Sequence, residues 1–166
     1  GVSGGHLLLV GARPNTGKTS FHASLIAGPE GWAHQGAKCV ILCNEEGSAR
    51  VGARYLSAAA NMTMEEVKAN VTLAKSRYEP VRQNIRIKDS TNKDMKWVES
   101  IVKQERPDIL VLDMGDKFAA KTSDKSDVYL KDAAIYARNI AKQYGCTLIW
   151  MSQLSAAAEG KVYVDQ

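Results

Sequence analysis

The sequence predicts an α/β fold with a mostly parallel sheet and helices on both faces. Three observations predict it. Five short apolar runs of strand character alternate with helical patterns along the chain. The first run leads into Ala12-Arg13-Pro14-Asn15-Thr16-Gly17-Lys18-Thr19, and a helical pattern follows at once. The other four runs each end on polar residues, as strands do when their carboxyl ends share one ligand-binding rim.

The elements follow in order. His6 to Val10 is short, continuous and bounded by glycines, so it reads as a buried strand. Thr19 to Ala27 places Phe21, Leu25 and Ile26 on one helical face, and Gly28-Pro29 stops that helix. Lys38 to Cys43 is the second strand. Ser48 to Ala60 is a helix with Val51, Tyr55 and Leu56 on one side. Thr63-Met64-Glu65-Glu66 has capping-box spacing and starts a short helix. Ile85 to Lys88 is the third strand. Asp94 to Gln104 aligns Met95, Val98 and Val102 before Pro107 ends the helix. Ile109 to Leu112 is the fourth strand, and Gly115 to Ser126 is a long loop. Asp127 to Tyr144 aligns Leu130, Ala134, Ala137 and Ala141, with Gly145 at the C-cap. Thr147 to Ser152 is the fifth strand. The tail from Ala156 to Gln166 admits a helix over its Ala-rich start and a strand opening at Val162-Tyr163-Val164.

At 166 residues the chain suffices for one domain, 1–166, with a full core. Lys and Arg number 22 against 18 Asp and Glu, a net charge of +4 that permits a polyanionic partner without requiring one. No apolar run is long enough to span a membrane, and Gly1-Val2-Ser3-Gly4-Gly5 does not open a signal peptide. There is no initiator Met, so a piece of a longer protein is expected. Cys39 and Cys43 share a strand about 13 Å apart, too far to bond, and no paired spacing suits zinc. Buried thiols in a reducing, cytoplasmic compartment are the expectation. His6, His22 and His34 lack metal-ligand spacing and read as solvated or packed imidazoles.

The chemistry concentrates at the strand ends. The loop from Ala12 to Thr19, with Ser20 beyond it, lies between strand and helix, the context that makes Gly-Lys-Thr a nucleotide site. Its backbone N–H groups and the helix N-terminus cradle phosphates. Lys18 is expected to reach the β- and γ-phosphates, and the Thr19 hydroxyl to ligate Mg²⁺. Asp113 ends Ile109-Leu110-Val111-Leu112, an apolar run closing on a carboxylate of Walker B type, which is expected to hold Mg²⁺ through water, the alternative being a strand-end Asp that caps the next turn. Met114 follows it, where many ATPases carry a catalytic Glu. The base is therefore sought in Glu45 or Glu46 at the end of the second strand, the alternative being a solvated pair opening the next helix. Gln153 suits a γ-phosphate sensor, and a polar strand end is its alternative. Lys117, Lys121 and Lys125 are interleaved with Asp116, Asp124 and Asp127, so a solvated mixed-charge loop is the first reading and DNA contact the sharper one.

Taken together, these motifs resemble those of DnaB-type replicative helicases. Ala12-Arg13-Pro14 through Gly17-Lys18-Thr19 is similar to that family's phosphate loop, and Asn44-Glu45-Glu46 lies where the family has its catalytic Glu. Leu112-Asp113 is similar to its Walker B, and Ser152-Gln153-Leu154-Ser155 to its Ser-Gln-Leu segment. The resemblance implies a RecA-like core that binds ATP and Mg²⁺. It implies Glu45 as the base and Gln153 as the γ-phosphate contact. It also implies a homo-hexamer of the full-length protein on single-stranded DNA, with no membrane partner, in a bacterial or phage-infected cytoplasm. A recombinase or loader of the RecA superfamily is the alternative. Met114-Gly115 and Ala156-Ala157-Ala158 depart from the family's pattern. The family's arginine finger lies beyond Gln166, so the isolated piece is expected to hydrolyse ATP weakly.

Overall fold

The computed structural model describes residues 4–118 and 126–154. Its order is β1 (Leu7–Ala12), α1 (Lys18–Ala27), β2 (Cys39–Cys43), α2 (Ser48–Ala60), α3 (Met64–Ala69), α4 (Val71–Arg82), β3 (Ile85–Asp89), α5 (Met95–Glu105), β4 (Ile109–Asp113), α6 (Ser126–Tyr144) and β5 (Thr147–Gln153). A 3-10 turn at Gly115–Phe118 follows β4. The five strands form one parallel sheet in the order β1-β5-β4-β2-β3.

Side-chain alternation along the strands builds two cores. Cys39, Ile41 and Cys43 of β2 point to one face with Val111, Ile149 and Met151, and α1, α2 and α4 cover it. Val40 and Leu42 point to the other with Leu110, Leu112, Leu148 and Trp150, under α5 and α6. Burial on both faces explains why β2 and β4 read as unbroken apolar runs. The three cysteines are free and buried, as expected. Among the described residues no helix is long and apolar enough to cross a membrane.

Local chemistry sets the helix ends. Thr63 and Glu66 form the expected reciprocal capping box on α3. The Asp94 side chain accepts from the Trp97 N–H and starts α5. Gly145, at φ 67°, closes α6, and the Cys146 N–H returns to the Ala141 carbonyl.

The structure corrects four readings. β1 is not a buried strand: Leu8 and Leu9 are 44% and 60% exposed, because β1 pairs with β5 alone among the described strands. The inward face of α1 is Lys18, Thr19, His22, Ala23, Ile26 and Ala27, while Phe21 is 46% exposed. The apolar residues misled because the helix turns a polar stripe toward the sheet's carboxyl end. On α6 the buried residues are Ala133, Ala137, Ile140 and Ala141, and Leu130 lies outside them. Finally, α4 was not anticipated. It buries only Ala74 and Val81, carries Pro80 in its last turn, and is started by the Asn70 side chain accepting from the Leu73 N–H at 3.1 Å. The tail from Ala156 and most of the loop after Phe118 lie outside the described residues.

Candidate active site

Parallel register places the strand ends in one line. Ala12 sits opposite Gln153, Asp113 opposite Met151, and Cys43 opposite Asp113. The loop leaving β1 reaches α1 through two left-handed residues, Asn15 at φ 58° and Gly17 at φ 85°. Gly17 serves as N-cap and has no side chain to cap the helix. The first N–H groups of α1 therefore face the loop, with no acidic residue in the first turn to compete for them. The Thr16 hydroxyl donates to the Arg13 carbonyl at 2.7 Å and tightens the loop. Pro14, Asn15, Thr16 and Gly17 are exposed, whereas Lys18 and Thr19 are buried where α1 meets the sheet. Ser20 is exposed and faces the Arg54 guanidinium at 3.5 Å.

Two residues from separate ends of the chain meet across β5. The Thr19 hydroxyl donates to Asp113 Oδ2 at 2.9 Å. Asp113 is 3% exposed, and its Oδ1 has no hydrogen-bond partner in the described structure. Burial raises the carboxyl's pKa, but hydrogen bonds from His22 and Thr19 and the positive charge nearby at Lys18 outweigh it, and the net shift is downward. An ionised, buried carboxylate with one oxygen left over is what a hydrated divalent cation requires. The residues present thus fit a magnesium–nucleotide site.

His22 supplies a contact that sequence reasoning missed. Its Nε2 lies 3.1 Å from the same Asp113 Oδ2, and its Nδ1 lies 2.9 Å from the Tyr55 hydroxyl on α2. The imidazole is packed, as expected, but packed against the Asp113 carboxylate. The spacing carried a signal: His22 follows Thr19 by three, so both share one helical face. Burial pushes the Tyr55 phenol far up, so it stays protonated and can donate.

The neighbouring strand ends are tied to Asp113 through backbone. The Asn44 amide pairs with Met114 in both directions, accepting from its N–H at 2.8 Å and donating to its carbonyl at 3.1 Å. This fixes the residue before Glu45 against the residue after Asp113. Glu46 is engaged by Arg54, whose Nη2 lies 3.0 Å from Oε1 and whose Nε lies 3.3 Å from Oε2. Glu45 is exposed and makes no hydrogen bond or ion pair with the described residues.

Asp116 does the same for β5. Its carboxylate accepts from Trp150 Nε1 at 2.9 Å, the Ser152 hydroxyl at 2.8 Å and the Gln153 N–H at 3.0 Å. Gly115 makes this approach possible, since a Cβ there would lie 2.3 Å from the Trp150 ring. The Met114-Gly115 departure from the helicase pattern is thus the space that Trp150 fills. The Gln153 side chain is exposed at the rim. Asp89 belongs to a local turn, accepting from the Thr91 N–H, and Ser90 is buried. Among the described strands β3 stands at the far edge of the sheet, farthest from the phosphate loop. Lys121, Lys125, Asp124 and Ser155 lie outside the described residues, as does the Asp127 side chain.

Comparison with known proteins bears on the family and the fold. The model of a family described as AAA domain matches residues 2–159. A solved structure described as an ATPase domain superposes with a TM-score of 0.78 at 20% identity, covering 97% of this chain and 61% of that chain. Another, "The Structure Of A DnaB-Like Replicative Helicase And Its Interactions With Primase", gives 0.80 at 19% identity, covering 97% of this chain and 42% of that chain. This chain therefore spans less than two thirds of either. At such identities the likeness carries the fold, and the expected RecA-like architecture is borne out. A search of the curated proteins returns no match.

Proposed function

This chain belongs to the family of AAA domains, and from that premise we propose that it is the ATP-binding and ATP-hydrolysing motor core of a replicative hexameric DNA helicase. One observation carries the proposal. The phosphate-loop Thr19 and the strand-end Asp113 meet at 2.9 Å, with a bare carboxylate oxygen beside them.

The residues divide the work. Backbone N–H groups of the Ala12 to Ser20 segment, Pro14 excepted, hold the phosphates, and Lys18 neutralises charge on the β- and γ-oxygens. Thr19 and Asp113 would hold the metal, Asp113 through water. Mg²⁺ supplies charge neutralisation at the transferring phosphoryl group when bound. Glu45, at the rim and unengaged, takes the proton of the attacking water. Gln153 hydrogen-bonds the γ-phosphate or that water. In the intact protein a neighbouring subunit supplies an arginine, the assembly is a homo-hexamer, and single-stranded DNA is the track. Similarity to a DnaB-like helicase over nearly the whole chain supports this reading.

The test uses the full-length protein. Glu45→Gln lowers DNA-stimulated turnover by about 100-fold or more while ATP affinity is kept, as expected for loss of a general base. Unchanged turnover in that variant, with Glu45 verified as replaced, sinks the catalytic assignment.

A further inference from the structure

We propose that His22 and Tyr55 are positioning residues that hold Asp113 in a single orientation for a divalent cation. The proposal rests on the nucleotide-site reading above. His22 is fully buried on the inward face of α1, where an alanine or valine would satisfy packing. A buried imidazole is costly unless both ring nitrogens are partnered. Both are, and the two bonds run in one direction. The ionised Asp113 carboxylate can only accept, so the ring nitrogen facing it, Nε2, carries a proton and donates to Oδ2. In the neutral ring Nδ1 is then the acceptor, and the Tyr55 hydroxyl 2.9 Å away donates to it.

Thr19 donates to the same oxygen. Oδ2 is therefore held by two donors from α1, and Oδ1 is left without a partner although it is buried. A carboxylate so divided has one oxygen anchored and the other free for a metal-bound water. The Tyr55 ring stacks at a tilt beside His22, with centroids 5.7 Å apart, and lies in the core under β2. The chain Tyr55–His22–Asp113 thus runs from that core to the metal side. Outer partners of this kind orient ligands, and their loss weakens metal binding about 10- to 100-fold.

The experiment measures Mn²⁺ binding by electron paramagnetic resonance, on the full chain with ADP present. Metal-free ADP affinity and thermal melting are measured in parallel. His22→Ala is expected to weaken Mn²⁺ binding about tenfold, with metal-free ADP affinity little changed. His22→Gln restores most of the loss, because its amide N–H occupies the Nε2 position. Tyr55→Phe weakens Mn²⁺ binding by a smaller factor, because the imidazole loses the partner of its second nitrogen. A folded His22→Ala protein with wild-type Mn²⁺ affinity overturns the proposal. Should His22→Ala not fold, Tyr55→Phe decides: unchanged Mn²⁺ affinity in that variant overturns the proposal equally. Failure of the wild-type chain to bind ADP at all overturns the nucleotide-site reading instead, a separate result.

Discussion

Two adjacent glutamates at the end of β2 are separated by a single guanidinium. Arg54 takes Glu46 in a two-pronged contact and leaves Glu45 open. Glu46→Gln is therefore expected to leave ATP turnover within about threefold of wild type. Because the pair is partly exposed, it should cost under about 1 kcal/mol in denaturant unfolding. A turnover loss matching that of Glu45→Gln would reverse the assignment. Strand-end position pointed to either glutamate, and the contact that sets them apart was not legible. Arg54 is eight residues beyond Glu46 on the next helix, and sequence alone does not say which carboxylate it grips. The same distinction applies to Asp113 and His22. An apolar run ending in Asp announces itself, whereas a histidine three positions beyond a threonine matters only once α1 is known to face the sheet with its polar side.

At the scale of elements, the carboxyl-end geometry was readable wherever a strand was apolar on both faces. β2 and β4 could be placed to within a residue because their pattern has no other use. β1 carried the same pattern for a different reason, an exposed edge, and α4 escaped because its burial is slight and Pro80 interrupts it. Between helices, Glu99 on α5 is held by Tyr136, Lys103 and Tyr144, which pull its pKa from 4.5 to about 2. A depressed carboxylate stabilises the fold above its unfolded value and loses that contribution as pH falls through its folded one. The tie between α5 and α6 is therefore present above about pH 4.5 and fades toward pH 2. Glu99→Gln should lower the melting temperature at pH 6 and differ little from wild type near pH 2. An equal deficit at both pH values would show that charge has no part in the tie.

For the whole molecule, the site was legible because a parallel sheet gathers its carboxyl ends. Five polar strand ends pointed to one rim; in the strand order the one after β3 lies farthest from the phosphate loop, and that order is not written in local sequence. A magnesium nucleotide binding only the folded form should stabilise it by about 2.7 kcal/mol at 100 times its dissociation constant. Differential scanning fluorimetry would read this as an upward shift absent when Lys18 is replaced by Ala. An equal shift in the Lys18→Ala protein would move the nucleotide elsewhere. Among the described strands the one that carries the phosphate loop is the first, yet its partner is the last, with Leu7 opposite Leu148. On the ribosome the loop emerges early and waits for some 141 residues before its strand can be paired. Such long-range closure is slow, and synthesis proceeds at roughly 5–20 residues per second. Nucleotide capture is thereby deferred until β5 has been made, and an unfinished chain carries the loop without the means to use it.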